Sequence, residues 1–195
     1  MEPLSILVLS GSPSPNSKTA MVAEQAGEML LEQRTDIALT HVRASDLVPT
    51  AVLTADFANP GLKRLAALLD AAHGVIVATP IFKASFSGLL KAVLDVMPQF
   101  GLAGKVVLPI GTGGSLAHVL ALDYSMRPVL QSMGARHIVQ AHFAWENDLV
   151  RDGGHFRLTP EGREPLHHAI RNFAHSLTAA EDVRWLGHPR PVQLA

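Results

Sequence analysis

Cysteine is missing from all 195 residues. Its absence removes disulfide frameworks, thiol redox chemistry and iron–sulfur ligation in one step. If this chain moves electrons, a bound organic cofactor must carry them. Charge is scarce too: Asp, Glu, Lys and Arg make up 17% of the residues, and the formal net charge is −1 with no runs of one sign. That balance gives no electrostatic grip on nucleic acid or an anionic membrane surface, and neither is expected as a partner. No uninterrupted apolar segment approaches the ~20 residues of a membrane-spanning helix. No charged-then-apolar leader stands at the N-terminus, so the expectation is a cytoplasmic protein. What the chain does have is apolar bulk, 48% of its residues, sufficient for one well-buried domain and short for two. A single domain is expected over residues 1–180, with 181–195 a C-terminal tail ending in "GHPRPVQLA".

Short apolar runs alternate with helical patterns. "LSILVLS" (4–10), "DIALTHV" (36–42), "GVIVATP" (74–80), "KVVLPIG" (105–111) and "RHIVQAHFA" (136–144) read as strands. Several are apolar on both faces, as in a parallel sheet covered by helices on each side. Helices are expected at 18–33, 60–73, 86–97 and 116–133. In the third, Phe86, Leu89, Leu90, Val93, Leu94 and Met97 recur at helical spacing and form one apolar face. The pattern predicts an α/β fold: a doubly wound five-stranded parallel sheet in the order 2-1-3-4-5, with helices on both faces. Residues 145–159 read as a turn-rich loop, followed by a helix from Pro160 to about 180. Ligands of such sheets bind beyond the carboxyl ends of the strands, beside strand 1. That rule selects the loops after strands 1, 3 and 4.

The first loop, "LSGSPSPNSKTAM" (9–21), has too few glycines for a Walker A or dinucleotide fingerprint. Ser12, Ser14, Asn16, Ser17 and Thr19 offer hydroxyl or amide donors instead, the following helix adds free N–H groups, and Lys18 adds one charge. The loop fits either a compact terminal phosphate or an ordinary helix cap at Asn16 or Ser17. The second loop, "TPIFKASFSGLLK" (79–91), places Pro80, Ile81 and Phe82 where polar turn residues are usual. They suit a flat ring, or a hydrophobic staple onto the next helix. Main-chain amides of Lys83 and Ala84 are free to bond polar edges, and Ser85 or Ser87 can cap the helix. The third loop, "GTGGSLAH" (111–118), is a partial dinucleotide motif with Leu116 in the last glycine's place. It reads as a rim bonding a ring edge through Thr112, Gly113, Gly114 and Ser115, or as a plain turn. A phosphate pocket, a ring platform and a Gly-rich rim at one sheet edge have the outline of an FMN site.

On "GSPSPNSKT", "IVATPIFKASFSGLLKAVLD", "GKVVLPIGTGGSLAHVLALDY" and "RPVL", covering about residues 4–142 in order, the chain resembles the flavodoxin-like NADPH-dependent FMN reductases. It is most similar to those serving sulfonate-desulfonating two-component monooxygenases, the SsuE and MsuE types. The resemblance implies that Ser12, Ser17, Lys18 and Thr19 hold the FMN phosphate. It also implies that Pro80, Ile81, Phe82, Lys83, Ala84 and Ser85 line the isoalloxazine, and that Thr112, Gly113, Gly114 and Ser115 bond its pyrimidine edge. The implied activity is reduction of FMN by NADPH or NADH, with reduced flavin passed to a flavin-dependent monooxygenase. Many members carry Arg where Ser14 stands and Tyr where Phe82 stands. Here the positive field falls to Lys18 and the helix end, and stacking area is kept without a hydroxyl.

"LALDYSMRP" contains Pro128, which lacks the N–H that would bond the Tyr124 carbonyl, so the 116–133 helix must be irregular there. A one-residue π-bulge accommodates this. Tyr124, by resemblance, lies at an oligomer contact next to the flavin, in a homodimer or homotetramer, and helps control flavin exchange. Hydride transfer is cofactor chemistry, so no side chain is assigned as catalytic; main-chain amides around Gly113 are candidates to stabilise the reduced anion. The histidines of "HHAIRNFAH" (167–175) lack a carboxylate at ligand spacing, and no metal site is expected. Two alternatives share the fold: a reductase of quinones, azo compounds or metal oxyanions with tightly held FMN, and a flavodoxin-type carrier, which usually needs a strongly acidic surface. A phospho-receiver is excluded, because Ser10, Gly11 and Thr79 occupy the positions of its acidic residues.

Overall fold

The computed structural model describes residues 3–153 and 155–181. In chain order, strand β1 (Leu4–Ser10) leads to helix α1 (Lys18–Gln33), capped by the Ser17 hydroxyl accepting from the Ala20 amide at 2.9 Å. β2 (Ile37–Arg43) is followed by a 3-10 turn (Ala44–Asp46), a one-turn helix α2 (Pro49–Leu53) and helix α3 (Pro60–Ala71). α3 starts where Asn59 caps and Pro60 presets the first helical φ. β3 (Gly74–Phe82) turns into the two-residue strand β4 (Ser85–Phe86), and α4 (Gly88–Asp95) follows. β5 (Val106–Gly113) precedes a 3-10 turn (Leu116–His118), a π-helical segment (Leu122–Met126) and helix α5 (Arg127–Ser132). Two short strands, β6 (His137–Ile138) and β7 (His142–Trp145), complete the sheet. A hairpin of β8 (Leu149–Asp152) and β9 (His155–Leu158) leads into α6 (Pro160–Glu181).

The sheet runs β2-β1-β3-β5-β6, with β7 also beside β5, and all of these pairs are parallel. This is the flavodoxin-like α/β fold. The order differs in detail from the expected 2-1-3-4-5, because the fifth position is filled by β6 and β7 in succession. The register pairing stops after Ile138 and resumes at His142; in between, Val139 still donates its amide to the Val107 carbonyl at 3.0 Å, and the Arg127 guanidinium donates to the carbonyls of Ile138 (3.0 Å) and Val139 (3.3 Å). β4 adds an antiparallel pairing to β3.

Alternation along β1 sorts the core into two layers. Leu7 and Leu9 join the cluster built by α3, α4 and α5, while Ile6 and Val8 join that of α1 and α6. β3 and β5 are buried along almost their whole length, as central parallel strands must be.

Three other expectations change. The 86–97 helix begins only at Gly88, with Ser87 as its cap, because Phe86 pairs with Ile81 in β4. The 116–133 helix is broken into three pieces of different winding. The expected loop at 145–159 contains the β8–β9 hairpin, held to α1 where the Gln25 carbonyl oxygen accepts from the Leu158 amide at 3.5 Å. The expected tail, 181–195, lies outside the described residues beyond its first position. Among the described residues no helix is long and apolar enough to cross a membrane.

Candidate flavin site

The first two loops are stitched together beneath the sheet's carboxyl edge. Gly11 donates its amide to the Ala78 carbonyl at 2.8 Å, and the Ser87 hydroxyl donates to the Gly11 carbonyl while accepting from the Leu90 amide. The Ser87 amide in turn donates to Thr79 Oγ1 at 2.9 Å. A Cβ on Gly11 would lie 2.5 Å from Leu90 Cβ, so the glycine is required by the close approach of α4. Beyond it Ser12 is buried, its Oγ accepting from the Ser14 amide at 3.3 Å. The main-chain N–H groups of Asn16, Ser17, Lys18 and Thr19 have no protein acceptor among the described residues. Four donors at a helix start make a concavity suited to an anion. Ser10 Oγ, buried at the end of β1, also has no partner.

The second loop is a two-residue hairpin. Lys83 (φ 51°) and Ala84 (φ 61°) both adopt left-handed backbone between Phe82 and Ser85, the geometry of a type I′ turn built without glycine. Strain of this kind concentrates at functional sites. The turn leaves Pro80 and Ile81 buried and Phe82 52% exposed, an apolar surface turned to solvent at the strand end. Ser85 lies in the ladder opposite Phe82 and does not cap α4.

The third loop meets the first. Thr112 Oγ1 lies 2.6 Å from Thr19 Oγ1, and both residues are buried. Their resemblance-based roles lay at opposite ends of a flavin, but their hydroxyls form one bond. A Cβ on Gly113 would lie 3.0 Å from Phe143 Cζ. The Gly114 carbonyl accepts from Trp145 Nε1 at 3.3 Å, and Ser115 Oγ accepts from the Ala117 amide at 3.3 Å.

Sequence reading missed a fourth contributor. Lys18 Nζ lies 2.8 Å from Glu146 Oε2 and 5.5 Å from the centre of the Phe156 ring, and the Arg151 guanidinium carbon lies 5.7 Å from the same ring centre. Glu146 opens the 3-10 turn after β7, and Phe156 and Arg151 come from the β8–β9 hairpin. No local signal marks Glu146 or Phe156, because their relevance depends on contacts with Lys18, 128 or more positions away in sequence.

Tyr124 lies within the π-helical segment and is 60% exposed. Leu116, Val119 and Leu120 on the preceding turns are exposed as well. On β7, next to the rim, His142 is pushed down to about 4 by burial and is neutral at pH 7.

The residues present fit a flavin mononucleotide: free helix-start donors for one phosphate, a half-exposed phenyl ring for the tricycle, and glycine backbone for a polar edge. Fold and site define a flavodoxin-like flavoprotein. The profile of the NADPH-dependent FMN reductase family matches residues 4–149, and the chain belongs to that family. It is 37% identical over 172 residues to the FMN reductase (NADPH) of Escherichia coli, covering 88% of this chain and 89% of that one. The FMN reductase (NADPH) of Pseudomonas putida is 35% identical over 189 residues, covering 96% and 91%. The solved structure of the NADH:FMN oxidoreductase EMOB, in its apo form, superposes with a TM-score of 0.86 at 46% identity, covering 98% and 100%. The chain is thus an NAD(P)H-dependent FMN oxidoreductase whose cofactors are FMN and a nicotinamide nucleotide.

Proposed function

We propose that this chain reduces FMN with NADPH or NADH and releases the reduced flavin to a partner monooxygenase of the two-component, sulfonate-desulfonating kind. The observation that carries the export is the make-up of the phosphate cradle. It has one glycine, hydroxyls and free amides, and its single cation, Lys18, is already paired with Glu146. Such a cradle holds a phosphate without gripping it.

In this reading Ser12, Ser17 and Lys18 bind the phosphate, and Thr19 contributes its main-chain amide while its hydroxyl is held by Thr112. Pro80, Ile81 and Phe82 support one face of the ring, and Lys83, Ala84 and Ser85 shape the turn beside it. The Gly113 and Gly114 amides and Ser115 meet the pyrimidine edge, where N–H donors stabilise negative charge. FMN supplies the electron acceptor, taking hydride at its N5 atom from the nicotinamide. The protein orients the two rings and excludes water; no side chain transfers a proton in this scheme.

The exposed apolar surface of Leu116, Val119, Leu120 and Tyr124 supports a homodimer or homotetramer, with Tyr124 at the contact and governing flavin exchange. The proposed setting is the cytoplasm. Anaerobic stopped-flow mixing of the protein as isolated with NADPH and FMN, its flavin content recorded, tests the activity. Loss of the oxidised flavin band is expected, and an unchanged band refutes the reading. A saturable FMN dependence in steady state marks flavin as exported product; a flavin that stays bound while quinones, azo compounds or metal oxyanions are consumed would assign the alternative reductase role.

A further inference from the structure

The phosphate cradle contains its own competitor. Lys18, the first residue of α1, has its ammonium 2.8 Å from Glu146 Oε2. The carboxylate also flanks the third loop, where a Cβ on Gly114 would lie 3.9 Å from the same oxygen. Glu146 thus stands between the loop assigned to the phosphate and the loop assigned to the ring edge. The two side chains are 34% and 41% exposed, and ion pairs this open to water are weak and exchange readily. The Phe156 ring also lies 5.5 Å from the ammonium, so Lys18 keeps a second support when the carboxylate is removed.

We propose that Glu146 is a built-in counter-ion that competes with the FMN phosphate for Lys18 and sets how readily the flavin leaves. The proposal rests on the phosphate assignment of the first loop. A phosphate monoester near pH 7 carries close to two negative charges. Arriving at Lys18, it must either displace the Glu146 carboxylate or tolerate it as a like-charged neighbour. Both outcomes weaken binding of the phosphate and leave binding of the ring unaffected. Release is favoured by the same contact, since Glu146 is already in place to recapture the ammonium.

The test compares FMN with riboflavin, which has the same ring and no phosphate, by flavin fluorescence titration of wild type, Glu146→Gln and Lys18→Met. Thermal melts of each confirm folding. Glu146→Gln should tighten FMN roughly 1.5- to fivefold, the range spanned by exposed charge pairs, and leave riboflavin unchanged. FMN dissociation, followed by dilution into apo-flavodoxin as a trap, should slow by a similar factor. Lys18→Met should weaken FMN alone. If Lys18→Met selectively weakens FMN but Glu146→Gln leaves FMN unchanged, weakens it, or tightens both flavins alike, the phosphate assignment stands and the competition is refuted. If Lys18→Met leaves FMN unchanged, the assignment of Lys18 to the phosphate and the competition fall together.

Discussion

Acid should destabilise this protein through a histidine outside the flavin site. His142 sits on β7 opposite Ile110 of β5, almost wholly buried, and its Nε2 has no partner. Burial pushes its pKa from 6.5 to about 4. At pH 5 the folded chain keeps this imidazole neutral while the unfolded chain protonates it. The unfolded state then binds more protons, and stability falls as pH falls. The loss begins as pH drops through the unfolded value of 6.5 and is complete below the folded value of about 4. A difference of about 2.5 units at about 1.4 kcal/mol each gives about 3 kcal/mol in full, and about 2 kcal/mol by pH 5. In a domain of this size about 2 kcal/mol lowers the melting temperature by roughly 4–8 °C.

His41 and His137 are also shifted down, each chiefly by burial, so the acid slope of the wild type has several sources. His142→Leu isolates one of them. At pH 8 the variant should match or slightly exceed wild type, since a buried unpaired nitrogen is replaced by carbon. Circular-dichroism melts at pH 8, 6.5, 5.5 and 5 should then show a gap in favour of the variant that opens below pH 6.5. Parallel pH dependences for the two proteins would refute the assignment.

Gly11→Ala should cost about 1–3 kcal/mol in thermal stability and weaken FMN binding by titration, because the new methyl would lie 2.5 Å from Leu90 Cβ and force α4 away from the loop. Lys105 is buried and donates to the carbonyls of Asp70 and Ala72 at the end of α3; Lys105→Met should cost about 2–3 kcal/mol in urea unfolding by leaving them without that donor. Lys83→Asn with Ala84→Gly converts the left-handed turn to its favoured sequence and should stabilise by about 1 kcal/mol, read as a higher urea midpoint. Under the proposed assembly, Tyr124→Ala should shift the protein toward smaller species in sedimentation and change FMN affinity; an unchanged mass and affinity would refute the proposed role of Tyr124.

Much of the fold was legible because its central strands carry their burial in their own composition. "LSILVLS" and "GVIVATP" are apolar on both faces, and β1 and β3 follow them closely. Ser17, one of two caps the sequence offers, starts α1. The parts that escaped depend on partners elsewhere. β4 is two residues long and exists because Lys83 and Ala84 accept positive φ. β8 and β9 are short and largely exposed, and Gln25 of α1 braces the second of them. The fifth strand pauses between Ile138 and His142, where the Arg127 guanidinium takes the Ile138 and Val139 carbonyls, a contact that no local pattern signals. Pro128 did reveal its effect locally: a missing N–H is a property of the sequence, and the chain winds as a π-helix just before it.

The candidate site divides along the same line. Ser17 as a cap and Phe82 as aromatic bulk at a strand's end are implied by residue type and position, whereas the close approach of Gly11 to Leu90 shows only in the fold. Lys18 could be named but not understood, because a lysine at a helix start suggests a free positive charge. Its actual state is set by Glu146, which arrives from the far end of the sheet on the turn after β7. Under the proposed phosphate assignment, the carboxylate beside Lys18 opposes the loop's one positive charge whatever residue stands at position 14. A substitution that only adds charge, such as Ser14→Arg, would leave that competition intact, whereas Glu146→Gln removes it without altering the loop.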